Sequence, residues 1–506
     1  MAIKETSFSE FQELVACAKE EKRRYVSVLA VSPADHLTPL SIAAQVAKYG
    51  QPFALLESVS QGQHLGRYSI IALRPFLRLS VRKEKGVIKA LDEAAVYVAA
   101  ETSAPLDQIS ALLSYYSPLA PAEAPPFTGG AISYIGFEAT PLFEPAVIPP
   151  AHDDLMLPDV QMLFFHHLII YDHTWQQIIL AVNTAVGFGD AAQTFECAQC
   201  DLRSLRQFLQ NDLRPLEPLP APTSPVTSTH TRESYHEMVR SAKEYVAMGD
   251  VFQVVLSQRF STTTSASGLD LYRHLRRLNP SPYMFFLNLG KGVELIGASP
   301  EVMVQVVGEQ VLLRPIAGTR RRGRDAAEDE RLAHELIHDP KELAEHMMLV
   351  DLARNDVGRS AMAGTIRLTK HLTVENYATV MHIVSEVVGK RDPRLGVLTI
   401  VGQCIPAGTL SGAPKIMAMN IIATLEGRRR GPYGGAVGYF TDQTVDTGIF
   451  IRSLIKIGDR IYWQAGGGIV ADSQPEAEYQ ETLAKGRAIG QLHKEAWDEF
   501  VAKGGK

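Results

Sequence analysis

Two pairs of glutamates along the 506-residue chain are spaced for joint chemistry. Glu342 and Glu345 lie three apart in DPKELAEHMMLVDLARNDVGR (339–359), as do Glu478 and Glu481 in QPEAEYQETLAKG (474–486). Residues three apart on a helix share a face, so each pair would present its carboxylates together. Acids near a helix N-terminus can also serve only to complement its dipole, and on the first segment alone that reading has equal standing. Two such pairs, remote in sequence and without a His or Cys cluster, suit a hard cation held by one or two acids, water and substrate. That is how magnesium is held.

Glycines accompany the acids. Gly466, Gly467 and Gly468 close the run IYWQAGGG (461–468), where bare backbone lets N–H groups approach a carboxylate. Gly466, Gly468 and Ala471 fit a dinucleotide-binding string, but the next helix starts too late and no strand-helix-strand unit surrounds it, which argues against a nicotinamide site. RPIAGTRRRG (314–323) sets Gly318 and Thr319 among arginines, beside an Ala317 that can do no chemistry. CIPAGTLSGAPK (404–415) gathers small residues and the Thr409 hydroxyl ahead of a helix starting near Pro414. VDTGIFIRS (445–453) places Arg452 in an otherwise apolar strand. A buried arginine needs an anion, either an internal acid or a substrate carboxylate gripped in bidentate fashion.

The elements that must position these groups mix helix and strand. Asp339 is a good N-cap, Pro340 suits the first helical turn, and Leu343, Met347 and Val350 predict the core stripe of that helix. MFFLNLGKGVELIGAS (284–299) and EVMVQVVGEQVLLRPIAG (301–318) run strand to strand through short Gly turns, so the sheets should be antiparallel. The fold class is α+β, with mixed α/β content, and a doubly wound fold is disfavoured. GGAISY (129–134) and GGAVGY (434–439) echo each other from opposite halves, hinting at related sheets. A Pro-rich seam at 214–235 divides an N-terminal region, 1–213, from a C-terminal one, 236–506. In FFHHLIIYDH (164–173) the adjacent His166 and His167 must point to opposite faces of a strand and cannot share a metal.

Composition removes other classes. With 46% hydrophobic and 21% charged residues and a net charge of -6, the chain is globular and has no global attraction for nucleic acid or an anionic membrane. The N-terminal residues read as a charged amphipathic helix rather than a signal peptide, and no apolar run is long enough to span a bilayer, so a cytoplasmic location is expected. Four cysteines are too few for a disulfide scaffold, and Cys197 and Cys200 are expected to be half-buried in a helix without metal or redox chemistry.

Taken together, GASPE (297–301), PIAGTRRRG, the 339–359 stretch, VMHIVSEV (380–387), PAGTLSGAPK, YGGAVGYF (433–440), DTGIFIRS and the QAGGG stretch resemble the chorismate-utilising enzymes in order and spacing. Among these the resemblance is greatest to the large subunits of anthranilate synthases. LLES (55–58), HLGRYSIIA (64–72) and NPSPYMFF (279–286) extend it across almost the whole chain. It implies two large antiparallel sheets packed face to face with helices outside, and a smaller regulatory region ahead of the seam. It also implies Mg2+ on Glu345 and Glu481, with Glu342 and Glu478 alongside, gripping the ring carboxylate of chorismate. Gly318, Thr319, Tyr433, Arg452, Gly466, Gly467 and Gly468 would hold the substrate. Glu342, His382, Thr409 and Gln253 would be the reacting groups, with His382 assisting the loss of pyruvate.

The same resemblance bears on Ala317. Aminodeoxychorismate synthases commonly carry PIKGT, whose lysine can attack the ring, whereas anthranilate synthases carry PIAGT. Gln253 stands where isochorismate and salicylate synthases have a water-activating lysine, and a glutamine cannot be that base. The implied reaction turns chorismate and ammonia into anthranilate and pyruvate, the ammonia coming from glutamine through a separate amidotransferase subunit. Tryptophan would inhibit at Glu57, Ser58, Pro282, Tyr283 and Met284. The alternatives are an aminodeoxychorismate synthase of the folate branch and a catalytically silent tryptophan-binding subunit.

Overall fold

Two long strands, Tyr68–Arg82 and Val160–Asp172, organise the molecule, because each belongs to one sheet over part of its length and to a second over the rest. Their register slips between Pro75 and Leu77, where Arg74 takes a φ of 55°. A bulge of this kind bends the strand and re-aims the residues beyond it. The computed structural model describes residues 3–58, 66–92, 104–187, 190–209, 215–377 and 380–505. His64 and Leu65 of the HLGRYSIIA stretch and Arg214 of the seam lie outside them.

On one side of the bend the first sheet runs from Tyr25–Pro33 and Gln177–Ala185 through the long strands to Phe53–Glu57. It continues through Tyr283–Gly290, Val293–Ser299, Ser453–Ile457 and Arg460–Ile469 to Gln253–Thr263. On the other side the second sheet leads from Lys85–Ala90 and the long strands through Gly130–Ile135, Ala436–Phe440 and Val445–Ile449. Val302–Val307, Gln310–Leu313, Ile316–Arg321, Val380–Lys390 and Arg367–Asn376 continue it. All of these pairings are antiparallel, as the hairpin-rich order of the sequence predicts.

The sheets face one another. Phe285, Leu295 and Ile455 of the first interlock with Tyr134, Leu163 and Val437 of the second in one buried cluster. Helices Phe8–Glu20, Arg232–Met248 and Pro475–Gly490 cover the outer face of the first sheet, and Pro105–Tyr116 and Pro340–Ser360 that of the second. Strand alternation explains why single strands feed two cores: Phe53 and Leu55 point to the helices, Ala54 to the sandwich interior.

The two echoing segments turn out to be direct neighbours, with Ala436 opposite Ile135 and Phe440 opposite Ala131. Their glycines allow close backbone approach, since a Cβ on Gly435 would lie 2.1 Å from the Ile135 oxygen. Residues 215–226 of the seam carry no helix or strand, yet Thr223 N–H donates to Thr263 O at 2.8 Å. Each sheet takes strands from both sides of that seam.

Three local expectations need correction or detail. The 340–360 helix buries His346, Leu349, Val350, Ala353 and Val357, leaving Met347 38% exposed and Leu343 only partly covered. The stripe keeps helical spacing but starts at a histidine, which enters the core because its Nε2 pairs with Ser385 Oγ at 2.7 Å. Cys197 and Cys200 are exposed rather than half-buried, on the outer side of the Ala191–Phe208 helix. His166 stacks on Phe76 at 3.7 Å while His167 faces Asp201 at 3.6 Å, opposite ways as alternation requires. Among the described residues no helix is long and apolar enough to cross a membrane.

Candidate active site

Two of the points at which the chain crosses between the sheets lie side by side, and chemical groups collect there. Residues 299–301 join Val293–Ser299 to Val302–Val307, and residues 450–452 join Val445–Ile449 to Ser453–Ile457. Ile449 N–H donates to Glu301 O at 2.9 Å and Ala298 N–H to Arg452 O at 3.3 Å, tying the crossings together. Arg452 is therefore not a strand residue: its φ of 51° ends one strand and turns the chain toward the other sheet. Its half-buried guanidinium donates to Lys485 O at 3.1 Å, and among the described residues no carboxylate comes within ion-pair distance. Burial lowers its pKa, with the Tyr433 phenol opposing. Tyr433 itself is 5% exposed.

The four acids converge from two helices. Asp339 caps the first, accepting from Lys341 N–H at 3.0 Å and Glu342 N–H at 3.3 Å, a cap worth about 1 kcal/mol. Burial raises the Glu345 carboxyl pKa, and Glu342 and Glu481 raise it further. Glu478 is raised by burial and by Glu481. Cations sit among them: Lys485 Nζ lies 2.6 Å from Glu481 Oε1 and 3.1 Å from Gly466 O, and Arg320 binds Glu342 at 2.9 Å and Asp339 at 2.8 Å. The remaining arginines of the 314–323 stretch are also paired, Arg314 with Glu375, Arg321 with Glu328 and Arg322 with Asp329.

Among the described residues no group of three His, Cys, Asp or Glu is close enough to hold a metal alone. The donor set fits magnesium in another way. Glu478 Oε2 is buried without a hydrogen-bond partner and would lie 3.1 Å from a Cβ on Gly467, with Glu481 Oε1 at 3.5 Å from the same point. An orphaned carboxylate oxygen beside a second acid and bare backbone is a half-made site, of the sort magnesium completes with water and substrate.

Gly318 and Thr319 fall in a register slip between Ala317 and Arg320, out of the ladder with Val380–Lys390. Gly318 has a φ of 67°, and a Cβ there would press on Leu336 at 2.9 Å and Glu342 Oε2 at 3.1 Å. The slip turns Gly318 O toward His382, whose Nδ1 lies 2.8 Å away, with Thr319 Oγ1 at 3.2 Å. A carbonyl only accepts, so Nδ1 carries the proton and Nε2 keeps a free lone pair. Burial lowers the His382 pKa, keeping the ring neutral, with Gly318 opposing and Arg452 reinforcing the shift. Ala317 is 8% exposed beside this group. Gln253, at the start of Gln253–Thr263, crosses the space that Gly468 leaves open, where a Cβ would be 2.1 Å from its Nε2.

Two groups carried no assigned role from sequence. Thr409 donates to Glu301 Oε1 at 3.0 Å, and burial pushes the Glu301 carboxyl up to about 7 against the pull of Thr409 and Lys485. A carboxyl poised there can give or take a proton at neutral pH. Glu301 closes the GASPE motif, but no spacing flags a single acid after a proline. Lys485 had a signal, its i,i+4 relation to Glu481.

The residues expected to bind tryptophan gather elsewhere. Glu57, Ser58, Pro282, Tyr283 and Met284 all line one cleft of about 110 Å³ between the sheets. Ser58 Oγ is buried and without a partner, whereas Glu57 is held by Tyr272 Oη at 2.5 Å and Arg276 Nε at 3.1 Å. Tyr283 donates to Asp446 at 2.7 Å, on the strand that leads to Arg452.

Comparison with known proteins places the chain in a family. Residues 51–491 match the family described as chorismate binding enzyme. Anthranilate synthase component 1 of Pseudomonas putida is 40% identical over 465 residues, 90% of this chain and 92% of that protein. The protein of the same name from Aquifex aeolicus is 39% identical, with 90% and 92% covered. The crystal structure of anthranilate synthase component I from Streptococcus pneumoniae superposes with a TM-score of 0.71 at 34% identity, covering 85% of this chain and 94% of that one. The menaquinone-specific isochorismate synthase of Escherichia coli shares the fold, with a TM-score of 0.68 at 17% identity over 95% and 99%. A chain with this sandwich, and with this likeness over nine-tenths of its length, belongs to the chorismate-binding enzyme family.

Proposed function

We propose that this chain is the large subunit of an anthranilate synthase, joining ammonia to C2 of chorismate with loss of the C4 hydroxyl as water, then eliminating pyruvate to leave anthranilate. The observation that carries this reading is what stands beside the reacting groups. Ala317 next to Gly318 leaves no amine to attack the ring, and Gln253 against Gly468 cannot activate water, so an added nucleophile must supply the new bond. The relatives' shared name supports the same choice.

Each residue then has a task. Glu345 and Glu481, with Glu478 and Glu342 beside them, would hold magnesium, which when bound supplies a positive charge for the ring carboxylate of chorismate. Arg452, which has no carboxylate at ion-pair distance among the described residues, takes a second substrate carboxylate, with Tyr433 and the Gly466 to Gly468 backbone shaping the floor. Glu301 holds a proton near pH 7 and passes it to the departing hydroxyl, while Thr409 orients it. His382, neutral and with Nε2 free, takes the ring proton as pyruvate leaves. Arg320 and Asp339 fix Glu342 at the edge of this group.

The ammonia source is a separate amidotransferase subunit. Glutamine hydrolysis calls for an activated cysteine. Cys404 is buried with its thiol pKa raised by burial, and among the described residues no histidine hydrogen-bonds to Cys17, Cys197, Cys200 or Cys404. The purified chain, given chorismate, magnesium and ammonium at alkaline pH, is expected to form anthranilate and pyruvate, and with glutamine alone neither. An amine at C4 of the product would instead indicate the folate-branch enzyme. Glutamine-dependent anthranilate without a second protein would overturn the partner.

Tryptophan is the inhibitor in this reading, seated in the cleft of Ser58, Pro282, Tyr283 and Met284. Ser58→Phe fills that cleft with an aromatic ring, so inhibition by tryptophan should weaken on the order of tenfold or more while uninhibited turnover stays within about twofold. Unchanged inhibition in a titration of the variant would put the inhibitor elsewhere.

A further inference from the structure

Arg430 is the largest charged side chain that is fully buried, 1% exposed, and the tasks above leave it unused. Four of its five guanidinium N–H groups are engaged. Nε and Nη2 donate to Glu426 at 2.9 and 2.5 Å, Nη1 donates to Leu410 O at 2.7 Å, and Nη2 also reaches Val255 O at 2.8 Å. It lies over the Phe137 ring at 4.5 Å and the Tyr433 ring at 5.6 Å. Glu426 Oε1 in turn takes both N–H and Oγ of Ser257 at 2.8 Å, and Ser257 is the residue paired with Gly466.

Two connections make this more than a buried ion pair. Leu410, whose carbonyl Arg430 holds, is next in the chain to Thr409, the donor to Glu301. Glu138, from the other side of the seam, accepts from Arg430 N–H at 2.7 Å and Gly431 N–H at 2.8 Å, so its carboxylate fixes the backbone that carries the guanidinium. We propose that Arg430 is a positioning residue for the Thr409–Glu301 pair and that Glu138 is the grip by which the N-terminal half holds it in place. Burying such a network is neutral at best for stability, because desolvation offsets the Coulomb gain, so a geometric role accounts better for its presence. A planar fork that meets three acceptors at once fixes direction as well as distance, which a lysine cannot do.

The inference rests on the proposed function for the identity of the reaction, and the test separates the two. Arg430→Lys, Thr409→Val and the double variant are assayed with chorismate, magnesium and ammonium, and each is checked by thermal melting. Arg430→Lys is expected to lower kcat about 10–100-fold with KM changed less than about threefold, and to cost less than about threefold once Thr409 is already valine. Equal cost in both backgrounds would make Arg430 a structural residue and overturn the proposal. Glu138→Gln, which keeps one acceptor but sets an NH2 against the second N–H, runs through the same cycle and serves if Arg430→Lys does not fold. A 13C NMR titration of the Glu301 carboxyl needs no turnover: Arg430→Lys should raise its midpoint as Thr409→Val does, with no further rise in the double variant. An unmoved midpoint overturns the proposal even if the wild-type chain makes no anthranilate, a result that would by itself sink only the reading of the reaction.

Discussion

Glu345→Gln and Glu481→Gln are each expected to lower magnesium-dependent turnover on the order of 100-fold or more, about 3 kcal/mol of lost transition-state stabilisation, while the protein stays folded. Both residues lie on the exposed side of their helices, with the carboxyl end of Glu345 tucked beside Glu342 and Glu481, so the amide replaces a charge and disturbs little apolar packing. The stability change should even be favourable for Glu345. Its carboxyl is raised by burial and by Glu342 and Glu481, so the free protein carries a repulsion that glutamine removes. A residue whose neutralisation steadies the fold and stops the reaction is one kept for function. The measurements are kcat against magnesium concentration and a thermal melt of each variant. Near-normal turnover in both would return the acids to the role of dipole-complementing surface residues.

Turnover should also fall as the pH rises through about 7, and the limb should belong to Glu301. Its carboxyl is raised from 4.5 to about 7 by burial, so below that point it carries a proton to donate and above it does not. Thr409 pulls the value down, hence Thr409→Val moves the limb to higher pH. Glu301→Gln removes the limb and lowers kcat by roughly 100- to 10,000-fold. Linkage gives a second readout. Between 4.5 and about 7 the native state binds the proton more than the unfolded state does, so this group's contribution to stability is present below the window and is lost as pH rises through it. Glu301→Gln should flatten that part of the stability profile. A pH limb that survives unchanged in Glu301→Gln assigns the proton transfer to another group.

Where the sequence was informative, local physics fixed the outcome. The acid pairs, the Pro475 helix start and the strand ending in Gly466 to Gly468 rest on spacing and caps within some 20 residues. The two antiparallel sheets came from hairpin order and from resemblance together. Glu301 was illegible because its pKa comes from burial by packing and a bond to Thr409, 108 positions away. Arg452 read as a strand residue because its neighbours are apolar, whereas its left-handed φ is imposed by the change of sheet. His346 broke the predicted stripe because a template of apolar residues cannot foresee a histidine whose Nε2 is paired with Ser385, even though its Nδ1 is left without a partner.

The sharing of strands across the seam sets a timetable for the protein's own synthesis. When the first half has left the ribosome, Phe53–Glu57 and Gly130–Ile135 each have a neighbour on one side, but the partners for their other edges, Tyr283–Gly290 and Ala436–Phe440, are not yet made. The wait from residue 135 to residue 436 is 301 residues, or about 15–60 s of translation. Throughout it, two hydrophobic strands offer unpaired N–H and C=O groups to any similar chain nearby, the usual template for edge-to-edge aggregation. Yield in a cell should therefore depend on translation rate and chaperone supply more than on the stability of the finished fold.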